Sequence, residues 1–111
     1  MEQHEPTDRE LQEQDLAYLT KVFPLVCQRI GWRVHIEDML HFPPRVNIRL
    51  MAPRGDTYDF VLLAGSVYSQ WTIESHGQTY QLASASISQL MRHMIGCAMA
   101  YEIVAITLEM P

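Results

Sequence analysis

The sequence of 111 residues has the commonest size of a single domain, and its hydrophobic fraction of 48% is enough to form one core. The formal net charge of −5 repels phosphate backbones and argues against nucleic acid as the main partner. A basic leader with an apolar run is absent, as is any apolar stretch near the ~18 residues that cross a bilayer. We therefore expect one cytoplasmic domain over residues 1–111, with residues 1–6 disordered.

The first predicted element is a helix that begins at Thr7. Thr7 and Glu10 have the spacing of a capping box, and apolar residues then recur with the helical period as far as Ile30. Gly31 is a natural stop, and Pro24 removes one backbone donor inside the pattern, so we expect a single kinked helix. Its predicted buried residues are Leu19, Val22, Phe23 and Val26.

Alternating apolar residues after this helix predict five consecutive strands. We place them at residues 33–37, 45–50, 58–63, 67–74 and 79–82. The turn at residues 53–56 joins the second and third strands as a hairpin, and the other connections are also short. The sheet is therefore expected to be antiparallel.

A second helix follows the fifth strand, with Ser84 or Ser86 as its cap. Its apolar stripe consists of Ile87, Leu90, Met91, Met94, Ile95 and Ala98. Residues 103–109 are dense in β-branched side chains, so we assign them to a sixth strand; continuation of the helix is the alternative.

These elements predict an α+β fold. An N-terminal helix leads into an antiparallel sheet of five to six strands, and the second helix precedes the last strand. We expect both helices to pack on one face of the sheet. The other face then carries polar side chains, as antiparallel sheets commonly do.

The densest group of reactive side chains is His35, Glu37 and His41, on one side of the first strand. Alternate strand residues lie ~7 Å apart and point parallel, whereas zinc ligands converge at ~2 Å, so the strand cannot close a metal site by itself. A solvated strand in which His35 and Glu37 pair with Arg45 or Arg49 is the simpler interpretation. We therefore predict no metal and no cofactor.

No catalytic signature is visible. Cys27 and Cys97 lie inside apolar patterns without metal or redox spacing, so we interpret them as buried hydrophobic residues. The serines near residue 86 lack the context of a nucleophile and are explained by helix capping. The sequence thus predicts a protein that is not an enzyme.

The third strand contains a stretch, residues 60–64, that is apolar on both faces. Either Val61 and Leu63 contact another chain, as a homodimer or with a partner, or the C-terminal segment of the same chain covers them. The predicted interaction surface is His35, Glu37, Arg45, Arg49, Val61, Leu63 and Tyr68.

The class as a whole, a small acidic α+β domain without catalytic spacing, is shared by secretion chaperones, immunity proteins and phage-encoded inhibitors. We therefore expect an intracellular accessory or inhibitory module that acts by binding a protein of unknown identity. The alternative is a small ligand- or metal-binding enzymatic domain that uses His35, Glu37 and His41.

Overall fold

The computed structural model describes residues 5–39, 45–83 and 85–109, and within them a helix, five strands and a second helix follow one another. In chain order the elements are α1 (Asp8–Arg29), β1 (Arg33–Met39), β2 (Arg45–Met51), β3 (Thr57–Ala64), β4 (Trp71–Ser75), β5 (Gln78–Leu82) and α2 (Ile87–Glu109). The predicted α+β class is confirmed. Of residues 1–6, which we expected to be disordered, residues 1–4 lie outside the described part.

Both ends of α1 are fixed by capping interactions that the sequence predicts. The Thr7 hydroxyl oxygen accepts from the Glu10 amide at 3.2 Å, which satisfies one of the free donors of the first turn. At the other end Gly31 adopts a φ of +77°, and the Trp32 amide reaches back to the Cys27 carbonyl at 2.9 Å. This is a Schellman turn, and the left-handed conformation at Gly31 is the reason that a glycine ends the helix.

The buried face of α1 differs slightly from the prediction. Leu19 and Phe23 are fully buried as expected, but Val22 and Val26 are only half-buried. The buried residues of α1 are Gln12, Leu16, Leu19, Phe23 and Cys27. Pro24 lies within one continuous helix, on its exposed side; a kink there stays a prediction.

The five strands form one antiparallel sheet in the order β1-β2-β3-β4-β5, so each strand pairs with its neighbours in sequence. The predicted β2–β3 hairpin is confirmed, with Ile48 opposite Phe60. β4 begins at Trp71 rather than at residue 67, because Ser69 takes a φ of +68° and the Gly65 amide donates to the Gln70 carbonyl at 2.7 Å. Residues 65–70 are therefore a closed loop.

The sequence predicts the start of α2 correctly but not its end. Ser86 caps the helix, since its hydroxyl accepts from the Gln89 amide while the Gln89 side chain accepts from the Ser86 amide. Ser84, the other predicted cap, lies outside the described residues. The predicted sixth strand at residues 103–109 is wrong, because α2 continues without interruption to Glu109.

One core lies between the sheet and the two helices. The strands bury alternate residues toward it, as β3 does with Tyr58, Phe60, Leu62 and Ala64. Buried residues of both helices belong to the same core, so both helices pack on one face of the sheet. This face is called the inner face below, and the opposite one the outer face.

The N-terminal half of α1 is anchored by a buried amide. Gln12 is nearly inaccessible, and its Nε2 donates to the Gly65 carbonyl at 2.9 Å and to the Val67 carbonyl at 3.4 Å. Both acceptors belong to the backbone of the β3–β4 loop, and the Val67 carbonyl also accepts from the Gln70 amide at 3.1 Å. A polar side chain in the helix stripe thus ties α1 to that end of the sheet.

Candidate functional site

The outer face of the sheet carries most of the residues that the sequence singles out. Register places His35 opposite Arg49, Arg49 opposite Asp59, and Arg45 opposite Leu63. Neither of the two described helices lies over this face, because both pack on the inner face. Six of the seven predicted interaction residues therefore share one surface; these are His35, Glu37, Arg45, Arg49, Val61 and Leu63.

The strongest contact on the outer face is an ion pair. Arg49 donates two hydrogen bonds to Asp59, from Nε to Oδ1 at 2.7 Å and from Nη2 to Oδ2 at 3.2 Å. This bidentate pair lowers the pKa of Asp59 below its ordinary value. Arg49 is thus paired with Asp59, whereas the sequence suggested His35 or Glu37 as its partner.

Beside this ion pair the outer face is hollowed. The hollow has a volume of about 380 Å³, and its polar lining includes His35, Glu37, Asn47, Arg49 and Asp59. Within residues 5–39, 45–83 and 85–109, no three His, Cys, Asp or Glu side chains converge on a point where a metal ion would sit. His41, the third residue of the metal hypothesis, falls outside these ranges.

Val61 and Leu63 lie at the centre of the outer face. β3 is the middle strand and is paired on both sides, so it offers no free edge for pairing with another chain. Both side chains are half-buried, and the C-terminal segment that we considered as their cover is α2, which packs on the opposite face. Contact of Val61 and Leu63 with another protein stays a prediction.

Tyr68 is not on the outer face. It belongs to the β3–β4 loop rather than to a strand, and its hydroxyl is hydrogen-bonded to the Asp15 side chain of α1. Burial raises the pKa of Asp15, while the charge of Asp15 raises the pKa of Tyr68. Tyr68 therefore links loop and helix, and the sequence erred by extending the fourth strand through it.

A second surface, which sequence reasoning missed, lies on the C-terminal half of α2. Large apolar side chains are exposed there on several sides of the helix, and we call them the α2 ridge. The ridge consists of Met99, Tyr101, Ile103, Val104, Ile106 and Leu108. Leu108 is 80% exposed, Ile103 62% and Val104 55%, values that are unusual for three apolar residues within six positions.

The base of the ridge is fixed to the sheet by buried polar contacts. Glu102 is the last buried residue of α2, and its carboxylate accepts from the Tyr58 hydroxyl at 2.6 Å. Arg54, in the β2–β3 turn, contacts Glu102 at 3.4 Å and also pairs with Glu109. The turn thus contacts α2 at two points about two helical turns apart, on the segment whose β-branched composition suggested a strand.

Aromatic rings complete this base. Tyr101 stacks on His76 with ring centroids 4.1 Å apart, and Tyr58 lies 6.0 Å from Trp32. Burial, with help from the neighbouring Glu102 carboxylate, raises the pKa of Tyr58 to about 12. The phenol therefore remains protonated and able to donate at any physiological pH.

A shallow groove runs along one side of the ridge. Its volume is about 310 Å³, and its lining is mainly apolar, from Trp32, Pro53, Met99, Ile103 and Ile106. Glu102 and Arg54 also line the groove and are already paired with each other. The groove can accept an apolar side chain but offers few free polar groups to orient a small ligand.

The two cysteines are unsuited to catalysis. Burial raises the pKa of Cys27 to about 11 and also raises the pKa of Cys97. Cys97 Sγ lies 3.6 Å from His93 Nε2 one helical turn away, a pair that the spacing of four residues could have revealed. Because the thiols stay protonated, neither is an activated nucleophile.

Family models, curated proteins and solved structures were compared with the chain, and none of the three comparisons gives a match. In the described part of the chain, neither helix has the length and apolarity that crossing a membrane requires.

Proposed function

We propose that this protein is a small binding module, of an accessory or inhibitory kind, that acts by protein–protein contact through the α2 ridge. The observation that carries the proposal is the exposure of Ile103, Val104 and Leu108 on a helix that extends past its last buried residue, Glu102. Large apolar side chains that are exposed on more than one side of a helix are normally covered. The described residues of the chain leave these side chains uncovered, so the proposed cover is another molecule.

The magnitude of the exposed surface supports this proposal. The exposed fractions of the six ridge residues amount to about three fully exposed apolar side chains. Covering them gains roughly 1.5–3 kcal/mol each, hence on the order of 5–9 kcal/mol for one chain. Such a gain is comparable to the cost of association, so a partner that covers the ridge with its own apolar surface can bind stably.

The outer face supports contact of a weaker kind. Val61 and Leu63 form a small half-buried apolar centre with charged neighbours such as Arg45 and Glu74. That arrangement has the pattern of an interface core and rim on a small scale. We assign it a secondary role in recognition, after the α2 ridge.

We also propose that the protein works in the cytoplasm. Cys27 and Cys97 are both free thiols, as is usual in a reducing compartment, and the chain is acidic.

The enzymatic alternative rests on the hollow of about 380 Å³ on the outer face, where His35 and Glu37 supply the polar groups. It predicts that Zn²⁺ or another divalent ion raises the thermal midpoint, and that His35→Ala abolishes this rise. An equal midpoint with and without the ion removes the metal form of the hypothesis.

The test of the proposed function is recovery of a partner from cells of the source organism with tagged protein as bait. The variant Ile103→Glu/Leu108→Glu places two charges on the ridge, whereas Ser88→Glu places one on an exposed position at the other end of the same helix. We expect wild type and Ser88→Glu to bring down a stoichiometric polypeptide, either another protein or an untagged copy. The double variant should lose it while keeping its helical circular dichroism.

Recovery of the wild-type bait alone, with neither a foreign protein nor a second copy, contradicts the proposed function. Equal recovery of the partner by the double variant assigns binding to another surface.

A further inference from the structure

We propose that His93 and Cys97, on one side of α2, form a two-ligand binding site for Zn²⁺. Neither residue belongs to the α2 ridge or to the outer face of the sheet, so the site goes beyond the proposed function and does not depend on it. The sequence gave no reason to expect a metal at this place, because Cys97 was interpreted as a buried hydrophobic residue.

A spacing of four residues places the two side chains on the same side of the helix. Cys97 Sγ lies 3.6 Å from His93 Nε2, one helical turn away. Two ligands four residues apart on a helix are a recurrent way of holding zinc, because one helical turn aims both at the same point. Imidazole nitrogen and thiolate sulfur are among the ligands that Zn²⁺ prefers.

The distance between the two donor atoms fits a tetrahedral ion. Bonds of ~2.3 Å to sulfur and ~2.05 Å to nitrogen that meet at ~109° hold the two atoms ~3.5 Å apart. The observed separation is 3.6 Å, so the pair already has the spacing that bound Zn²⁺ requires. Two ligands in a straight line at the same bond lengths would be ~4.3 Å apart, which favours zinc over ions of linear coordination. A thiol–imidazole hydrogen bond accounts for the same distance when no ion is bound.

A neighbour from the sheet orients the imidazole. The Tyr80 ring of β5 meets the His93 ring edge to face, with the ring centroids 4.9 Å apart. The Tyr80 hydroxyl is itself bonded to Gln78, two residues earlier in the same strand. A ligand that packing already holds in place loses less conformational freedom when the ion binds.

The surroundings leave room for water on the ion. His93 and Cys97 are half-buried, whereas Gly96 and Ala100 beside them are exposed, and a Cβ at Gly96 would meet nothing within 4 Å. Within the described part of the chain, no third His, Cys, Asp or Glu joins the pair. Water therefore fills the two remaining positions of a tetrahedral ion. Because structural zinc sites have four protein ligands, this one is exchangeable and is not required for folding.

Binding exchanges the thiol proton for the ion. The S–H bond of Cys97 breaks, the sulfur keeps both electrons and donates them to Zn²⁺, and the proton passes to the solvent. Neutral His93 donates the Nε2 lone pair, and its proton remains on Nδ1. One proton is released for each ion bound.

The first measurement is a calorimetric titration of the whole, reduced chain with Zn²⁺, followed by Co²⁺ as a spectroscopic substitute. We expect one ion per chain and a thiolate-to-Co²⁺ charge-transfer band in the near ultraviolet. Cys97→Ser and His93→Gln should each weaken Zn²⁺ binding by about 100-fold, because a single ligand lacks the advantage of a linked pair. Both replaced residues are half-buried, and circular dichroism with thermal melting verifies that the variants fold.

Two control variants locate the site. Cys27→Ala removes the other thiol, and His35→Ala removes the histidine of the hollow on the outer face. Both should keep the affinity for Zn²⁺ and the charge-transfer band. Mg²⁺ in excess should not displace Zn²⁺, because it prefers oxygen ligands.

Each contrary outcome overturns the inference. A wild type that does not bind Zn²⁺, or that binds Co²⁺ without the charge-transfer band, lacks the thiolate ligand. A loss of affinity in only one of Cys97→Ser and His93→Gln contradicts the pair, and a loss in His35→Ala instead assigns the ion to the outer face. None of these results affects the proposed function, whose test is recovery of a partner through the α2 ridge.

Discussion

Glu102 is the single charged residue that is buried in the described part of the chain, and its partners explain why it can remain there. A buried carboxylate is costly unless hydrogen bonds replace its water. Tyr58 donates to one oxygen at 2.6 Å, and Arg54 approaches the other at 3.4 Å. These contacts join α2 to β3 and to the β2–β3 turn.

Removing the Tyr58 hydroxyl tests this bond. We expect Tyr58→Phe to lower the free energy of unfolding by about 1–3 kcal/mol, because Glu102 would lose a donor in a place that water does not reach. Urea denaturation measures the change. Tyr80→Phe is the matched control, since the Tyr80 hydroxyl bonds the exposed Gln78 and its loss should cost little. Equal effects of the two substitutions would contradict the assigned importance of Glu102.

The raised pKa of Tyr58 adds a prediction about alkaline pH. Its folded-state pKa of about 12 exceeds the ordinary value of 10, so the native state holds the phenolic proton more tightly than the unfolded state does. The resulting stabilisation is complete below pH 10 and is lost as pH rises from 10 to 12. The unfolding free energy of Tyr58→Phe should therefore fall less steeply than that of wild type over this range.

Substitution by alanine should destabilise the protein at Gly65 and stabilise it at Gly96. A Cβ at Gly65 would lie 2.8 Å from Gln70 Cβ and 2.9 Å from the Gln70 carbonyl oxygen, whereas a Cβ at Gly96 would meet nothing within 4 Å. Gly65→Ala must therefore distort the β3–β4 loop, and we expect a lower denaturation midpoint. Gly96→Ala should stabilise α2 by about 0.5–1 kcal/mol. Stabilisation by both would show that the loop relaxes freely.

At the scale of elements, local sequence signals were enough to predict a helix end where a capping residue was present, and a strand where apolar residues alternated. Thr7, Gly31 and Ser86 mark helix ends by their own hydrogen bonds or conformations, so a single sequence reveals them. The end of α2 could not be predicted in this way. Its contacts are made with Arg54, about fifty residues earlier, which pairs with Glu102 and Glu109.

The start of the fourth strand was predicted wrongly for a related reason. Residues 67–70 have no glycine, yet Ser69 adopts a left-handed conformation that ordinarily suggests one. The loop is held in place by Gln12, from α1, which donates to the Gly65 and Val67 carbonyls. A contact between residues so far apart in the sequence cannot be predicted from local periodicity.

Packing of α1 on the sheet makes its own prediction. Phe23 is fully buried and Leu25, two residues later, is largely exposed. We expect Phe23→Ala to cost about 3–5 kcal/mol, because it removes buried surface and leaves a cavity. Leu25→Ala should cost well under 1 kcal/mol by the same chemical denaturation. An unchanged midpoint for Phe23→Ala would show that this face of α1 is not core.

At the scale of the whole molecule, the fold is elongated. The radius of gyration is 15.5 Å, whereas about 13 Å is usual for a compact domain of this length, and the longest extent is 68 Å. α1 and α2 each span more than twenty residues, far longer than any strand of the sheet. The ridge lies on the C-terminal half of one of these two long helices.

The candidate site was predictable only in part. The outer face follows from alternation along the strands, so His35, Glu37, Arg49 and Val61 were placed on one surface correctly. The ridge was missed because residues 103–109 were assigned to a strand, on which alternate side chains would have faced a core. Only the helical conformation exposes Ile103, Val104 and Leu108 together.

The last prediction tests whether Leu63 on the outer face lies at a surface that is open to another molecule. Leu63 is half-buried on the outer face, and its neighbour Leu62 points into the core with no exposed surface. Leu63→Arg should fold and lose about 1 kcal/mol of unfolding free energy through its position opposite Arg45. Leu62→Arg, the control, should not fold, because it buries an unpaired charge.

Light scattering with circular dichroism distinguishes the results. A dimeric wild type together with a folded but monomeric Leu63→Arg would place the interface at Val61 and Leu63, as the sequence first suggested, and would refute the ridge as the contact surface. An unfolded Leu63→Arg would mean that Leu63 belongs to the core. A folded Leu63→Arg with the same mass as the wild type would leave the ridge as the proposed contact surface.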